Sequence, residues 1–240
     1  MEPKTPLATN PVFAGAAAPA RARLLAVSTL RSYAACQRVL TEGEPARHVF
    51  ALESGQVRVF HASPDGAEVL LKLFSAPALF GEAEAFSGGV YLENVDATID
   101  AEVLVMPAEA LLAFLREDAR AAVTMLIDVA ARLAIASHNE KSLAFAPVAT
   151  RLANYLVDCV GLRPDRDAAT LALTQDDMAA AIGATRRSVA KSVIAWQRAG
   201  ILQRRGDRYL VRDPVRLGEL ADPQHVSLRY SLVRLRVPTR

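Results

Sequence analysis

Arg186, Arg187, Lys191 and Arg198 are the side chains of this 240-residue chain whose type and spacing best suit them to chemistry. At about 100° per residue, Arg187, Lys191 and Arg198 share one side of a helix, while Val189, Val193 and Trp196 fall on the other. Arg186 flanks the cationic side near the helix N-terminus. The chemistry is recognition. A guanidinium or ammonium donates to the acceptor edge of guanine in a major groove, and neighbouring cations meet phosphates. The surrounding sequence must position that helix. Thr174 is an N-cap, and Asp176 and Asp177 suit the positive end of a helix dipole. The spacing predicts a short helix over 175–182, ended by Gly183, and a second helix capped by Thr185. Two short helices joined by a tight glycine-containing turn make a helix-turn-helix. Gly200 closes the second helix. Ile201 to Val211 then alternates around Gly206-Asp207, a hairpin dipeptide, with Arg204, Arg205 and Arg208 crowding it as a basic wing. The candidate DNA contacts are Thr185, Arg186, Arg187, Ser188, Lys191, Arg204 and Arg208.

Charge is divided unevenly along the chain. Residues 1–146 hold 12 Lys/Arg and 17 Asp/Glu, net −5, and residues 147–240 hold 16 and 9, net +7. An acidic first part and a basic second part imply two domains, the second facing a polyanion. Cys36 and Cys159 are too few and too far apart for a disulfide framework, a zinc site or an iron–sulfur cluster. They read as buried free thiols in a reducing cytoplasm. The first 20 residues lack the basic and apolar regions of a secretory signal. The apolar run Ala121 to Ala136 is interrupted by Asp128 and Arg132 and is too short for a bilayer. The expectation is a soluble, cytoplasmic protein without membrane contact.

Taken in order, residues 1–21 read as a flexible arm, because Pro3, Pro6, Pro11 and Pro19 oppose regular structure. Ala22 to Ala35 suggests a short helix. Residues 22–106 then carry short β-rich segments at Val39-Leu40, Val49 to Leu52, Gln56 to His61, Glu68 to Phe74 and Val103 to Met106. Turns are expected at 42–45, at Glu53-Ser54-Gly55 and at 63–66, which together argue for an antiparallel barrel or sandwich. Pro107 opens helical territory over 107–146. Leu112, Leu115, Ala119, Ala122, Leu126, Val129, Leu133, Ala136 and, after a break at Glu140, Leu143 follow a 3-4 spacing, the seam of a coiled coil. Ala122, Leu126, Val129, Leu133 and Ala136 are the candidate dimer contacts. Val123 and Ile127 form a second apolar row for contact with the chain's own domain. Phe145-Ala146-Pro147 is the expected hinge. A helix over 148–160 follows, with Leu152, Tyr155, Leu156 and Cys159 on one face, then a polar loop and the helix-turn-helix. The domain over 147–221 ends in a short helix from Pro214 to Leu220. The tail 222–240 carries Arg229, Arg234, Arg236 and Arg240, and could be irregular, a strand or an extra basic contact.

This order resembles the Crp/Fnr family of bacterial transcription regulators over about Leu24 to Leu220. The segment Thr41–Phe60, TEGEPARHVFALESGQVRVF, is similar to the family's first barrel repeat. Phe80–Gly89, FGEAEAFSGG, is similar to its phosphate-binding cassette, and Ala184–Lys191, ATRRSVAK, to the start of its recognition helix. The resemblance implies an α+β protein: an N-terminal antiparallel β-roll of the cyclic-nucleotide-binding type, a long dimerisation helix and a C-terminal winged helix-turn-helix. It implies double-stranded DNA, a second copy of the chain and RNA polymerase as partners.

In cyclic-nucleotide binders of the family, the cassette's Gly-Glu accepts the ribose, and an Arg-Ser or Arg-Thr pair about ten residues on neutralises the phosphate. Gly81 and Glu82 match the first pair. The second falls on Tyr91-Leu92, and Lys72 is the one Lys or Arg between Arg58 and Arg116. A buried phosphate without a cation is costly, so cyclic AMP and cyclic GMP are not the expected effectors. The candidate pocket residues are Phe80, Gly81, Glu82, Tyr91 and Leu92. Some relatives bind haem or other small molecules there, for which His61 and His138 are the candidate ligands. The cysteine cluster of the family's oxygen-sensing branch is absent. The recognition helix departs too. Where the family has Arg-Glu-Thr-Val-x-Arg, this chain has Arg186-Arg187-Ser188-Val189-Ala190-Lys191. Arg187 cannot accept a hydrogen bond from cytosine, and Lys191 cannot form a planar fork.

The expected function is that of a dimeric DNA-binding regulator whose β-roll relays a signal to the recognition helices. The alternative is a haem or small-molecule sensor acting through protein–protein contact. Catalysis is not expected, because His48, His61, His138 and His225 stand far apart and no nucleophile, metal-binding or Walker-type motif accompanies them.

Overall fold

The computed structural model describes residue 7 and residues 9–63, 68–160, 169–171, 173–206 and 208–227. The chain forms two compact units that divide within one long helix, between Asp128 and Val129, with Glu68–Leu70 grouped with the second.

The first unit opens with α1 (Pro11–Ala14) and α2 (Ala18–Ala26). The expected arm is therefore helical over much of its described length. Pro11 and Pro19 stand in the first turns of α1 and α2, where a missing N–H costs nothing. Asn10 caps α1 by accepting from the Val12 amide. Leu7 and Phe13 are fully buried, Phe13 with its ring 5.5 Å from that of Phe114. The helix expected over 22–35 also ends early, because β1 (Thr29–Tyr33) leaves α2 to pair with a distant strand.

The strands β2 (Arg38–Leu40), β3 (His48–Ala62), β4 (Glu68–Ser75) and β5 (Ala78–Phe80) precede the short helix α3 (Glu82–Ser87) and β6 (Asn94–Pro107). They form one sheet in the order β1-β6-β3-β4, with β2 on β6 and β5 on β3. Residues 53–55 do not reverse the chain as expected. They lie inside β3, where the register against β6 slips repeatedly between Leu52 and Val57. Gly55 sits at φ +85°, and a Cβ there would stand 2.4 Å from the Asp100 carbonyl oxygen. Only glycine lets the strand kink there, so that one long strand serves both halves of the roll.

Alternation along β3 and β6 feeds two cores. Phe50, Leu52, Val103 and Val105 point into the roll with Val57, Val59, Phe80, Tyr91 and Val95. Val49, Ala51, Leu104 and Met106 point outward, beneath Phe13, Leu24, Leu111, Phe114 and Met125. The outer face is covered by α4 (Ala108–Glu117) and the start of α5 (Ala119–Phe145) as well as by the N-terminal helices. The break between helices falls at Asp118, whose carboxylate accepts from the Ala121 amide, and α5 continues through Glu140. Val123 and Ile127 were expected to face the chain's own domain, but both are exposed. Ala121 and Met125 make that contact instead.

In the second unit, α6 (Val148–Val160) starts directly after Pro147 and buries Leu152, Tyr155, Leu156 and Cys159, with Ala153, Asn154 and Val157. Cys159 is thus buried as expected, but Cys36, in the turn between β1 and β2, is exposed. It is followed by β7 (Ala169–Leu171), α7 (Gln175–Ala181), α8 (Arg186–Arg198), β8 (Leu202–Arg205), β9 (Arg208–Val211) and α9 (Pro214–Leu220). The hairpin β8-β9 gains β7 on its open edge, in the order β7-β9-β8, a strand not expected from the sequence. The basic residues of the tail, Arg229 to Arg240, lie outside the described residues. Among the described residues, no helix is long and apolar enough to cross a membrane.

Candidate nucleic-acid interface and effector cassette

Capping sets the start of both helices of the helix-turn-helix. The Thr174 hydroxyl accepts from the Asp177 amide at 3.1 Å, and the Asp177 carboxylate accepts from the Thr174 amide at 2.7 Å. This reciprocal pair satisfies two amides that a helix start leaves open. Thr185 supplies one half of this device on α8, accepting from the Ser188 amide at 3.3 Å, with the two hydroxyls 3.0 Å apart. Thr185 and Ser188 thus both serve the helix start. Val189 and Val193 are fully buried and Trp196 nearly so, which fixes the rotation of α8. Arg186, Arg187, Lys191 and Arg198 are left exposed on the other side.

Arg186 stands 3.6 Å from Asp176, both largely exposed. An ion pair of that kind is worth under about 1 kcal/mol, so it yields readily to a stronger acceptor. In the wing, Arg205 lies directly opposite Arg208 across the hairpin. Like charges in that position are destabilising unless a polyanion is close. Arg204 is more constrained than the sequence suggested, because its Nε donates to the Gly206 carbonyl at 3.0 Å and braces the turn. Arg212 forks onto Gln203 at 2.9 and 2.6 Å, and Arg216 donates to the Ala199 carbonyl at the end of α8.

Sequence reasoning missed Arg151. From the first turn of α6 its guanidinium donates to the carbonyls of Leu143 and Ala146, at 3.3 and 3.2 Å, and to Gly183 in the helix-turn-helix at 3.2 Å. One side chain thus ties the end of α5, the expected hinge and the turn that aims α8. In the sequence it is an ordinary cation beside a proline, since all three partners are backbone atoms.

The cassette is built around Gly81, at φ +77°, which caps α3 in the left-handed conformation. A Cβ there would stand 3.1 Å from the Phe50 ring. Phe80 and Glu82 are buried beside it. Tyr91 is also buried, tilted against Phe50 at 5.9 Å, and its hydroxyl donates to the His48 carbonyl at 2.8 Å and accepts from the His48 amide at 3.1 Å. Tyr91 therefore holds the roll together, and Leu92 is exposed. Neither position can neutralise a phosphate.

Carboxylates dominate the surroundings. Burial first, and then Glu84 beside it, push the Glu93 carboxyl above its ordinary range, while Lys72 and His61 act in the opposite direction. Lys72, on β4, thus acts on Glu93 from a different strand, as its place in the sequence implied. The residues present do not fit a cyclic phosphate. Of the two histidines considered as haem ligands, His61 lies on β3 in the first unit, 4.0 Å from Glu42. His138 lies on α5 in the second unit, packed on His225 with ring centroids 5.5 Å apart. Among the described residues, no group of three or more His, Cys, Asp or Glu side chains is arranged to hold a metal ion.

A helix-turn-helix with a basic winged hairpin, joined to an antiparallel roll with an α3 cassette, defines a class of DNA-binding transcription regulator. Residues 30–118 match the cyclic nucleotide-binding domain, and residues 150–220 match the Crp-like helix-turn-helix domain. The chain belongs to the Crp/Fnr family. It is similar to the CRP-like cAMP-activated global transcriptional regulator of Mycobacterium tuberculosis, with 27% identity over 187 residues, 76% of this chain and 84% of that protein. It is similar to the cyclic AMP receptor protein of Thermus thermophilus, with 26% identity over 214 residues, 88% of this chain and 97% of the relative. Its fold resembles that of the c-di-GMP-responsive global regulator CLP of Xanthomonas campestris, with a TM-score of 0.62 and 22% identity over 82% of this chain and all of that one. The first of these is named as a regulator of transcription.

Proposed function

We propose that this regulator acts as a homodimer on a pseudo-palindromic operator, and that its effector is not a cyclic nucleotide. The carrying observation is the face of α5 turned away from the chain's own core. Leu126 and Leu133 are 66% and 70% exposed on it, with Val129 and Ala136 beside them. Large apolar side chains aligned on one helix face are buried by a second copy of the same helix. Ala122 and Ala136 allow the two backbones to come close. Two copies of α8 would then enter successive major grooves about 34 Å apart. Arg186, Arg187 and Lys191 read or approach bases, while Arg204, Arg205 and Arg208 meet phosphates. A signal in the roll shifts the population of hinge arrangements at 145–147 and so the spacing of the two readers. Contact with RNA polymerase follows for an activator of this family.

The effector reading rests on charge. The cassette keeps the family's backbone turn at Gly81 but surrounds it with Glu82, Glu84 and Glu93, which favour a neutral or cationic ligand over a phosphate. Selection of bound duplexes from a random pool, with and without cell extract, tests the proposal. Two inverted half-sites are expected, with enrichment that depends on the extract if a ligand is required. A monomer that prefers no duplex would overturn it.

A further inference from the structure

We infer that residues 221–227 are a latch that closes over the hinge and sets how freely α6 moves against the end of α5. The inference rests on the proposed relay through residues 145–147. The match to the helix-turn-helix domain ends at residue 220, so the segment lies just beyond what the family model covers. It nevertheless packs as core. Ala221 is buried and His225 is fully enclosed.

The bonds that hold it are polar and come from both sides of the hinge. The Asp222 amide donates to Asn154 Oδ1 at 2.8 Å, and Asn154 Nδ2 lies 3.5 Å from Ser142 Oγ. Ser142 precedes the hinge on α5 and Asn154 follows it on α6, and both are buried. His225 Nε2 lies 2.7 Å from Asp158 Oδ1 on α6. On its other side the His225 ring is tilted at 43° against His138 of α5. His138 Nε2 in turn faces Asp222 at 3.8 Å. Beside this network an open cleft of about 390 Å³ is lined by His138, Ser142, Phe145, Pro147, Thr150 and Asp222, among others. The cleft leaves space next to the hinge in which the chain can move.

A buried polar network of this kind does not loosen gradually. Removing the fully enclosed His225 ring takes its 2.7 Å contact from Asp158 and opens a cavity, which favours release of the segment over a partial loosening. Seated, it joins Ser142, Asn154 and Asp158 across the bend. Released, it leaves Arg151 as the described side chain donating to the hinge carbonyls, and α6 gains freedom. Arg151 lies within the family-matched segment, and the latch lies just beyond it.

The test uses the full-length protein and amide hydrogen exchange. His225→Ala should accelerate exchange of the amides of residues 151–155 by on the order of tenfold, with those of α8 unchanged. His225→Gln, whose amide can still donate to Asp158, should stay within roughly threefold of the parent. Unchanged exchange at 151–155 in His225→Ala would overturn the latch. So would equal acceleration in α7 and α8, which would make the segment a prop for the whole unit. Affinity for a duplex selected with the parent protein separates the two proposals. If the parent prefers no duplex, the operator reading fails while exchange still decides the latch. If hinge exchange rises and affinity for a preferred duplex stays the same, the latch does not govern the readers and the inference falls.

Discussion

The two ends of this molecule keep different parts of a common plan. In the second unit both geometry and charge are in place: a capped α8, a buried apolar side and an exposed cationic one. In the first unit the geometry of the cassette survives at Gly81, while the charge that would make it a phosphate site does not. Tyr91 stands where the family's cation would, and its hydroxyl is spent on His48. A fold fixes where a ligand can sit, and a few side chains decide which ligand it is. The reading half can therefore be inferred from residues and the sensing half only by what it rejects.

The largest effect expected from this contrast is on stability. Trp196→Ala removes the aromatic anchor of α8 and should cost about 3–5 kcal/mol. Calorimetry should show the loss in the transition of the second unit, with that of the roll in place. A loss shared equally by both transitions would contradict two separate cores. Next, cyclic AMP should leave the melting temperature of the roll unmoved. A ligand present at a hundredfold excess over its Kd would add about 2.7 kcal/mol, so a clear upward shift would break the comparison.

Arg186→Ala should cost about 1–3 kcal/mol on a selected operator and relax preference at one base pair, read by competition among single-base variants. Arg208→Ala should weaken all duplexes alike and reduce the slope of log K against log salt by about 1. Identical, sequence-independent behaviour of the two variants would show the assigned roles to be wrong.

The smallest effect concerns pH. Burial raises the carboxyls of Glu53 and Glu93 in the folded state. A raised folded value means a proton held more tightly by the folded roll than by the unfolded chain. The stability it contributes is complete below the unfolded carboxylate value and is lost as pH rises through the folded one. Glu93→Gln should thus stabilise the roll at neutral pH and flatten its acid-side profile. The gain should be under about 1 kcal/mol, because the group is partly hydrated. A roll that loses stability on substitution would show that the Glu93 charge is needed.

Much of the second unit was legible because its boundaries are written in local chemistry. Thr174, Thr185 and Pro147 each act on their own few residues, and α6 and α8 begin where those residues place them. The first unit was less legible because its strands are made by distant partners. Thr29–Tyr33 has no apolar alternation and becomes β1 through its register with β6. Ala78–Phe80 is too short to stand out and is recruited by β3. Gly55 read as a turn because a left-handed glycine serves a bulge as well as a reversal. Pro11 and Pro19 read as helix breakers because composition alone does not say that a proline stands at a first turn. Arg151 and the latch were invisible for a related reason. Their contacts are to backbone atoms, or span more than sixty residues from Asp158 to His225.

The unbroken course of α5 has a mechanical corollary. At 1.5 Å per residue its 27 residues make a rod of about 40 Å. A tilt of roughly 5° at one end of such a rod displaces the other by about 3.5 Å, close to the rise of one base pair. Under the proposed relay, a perturbation too small to repack the roll would be leveraged into a whole step along the double helix.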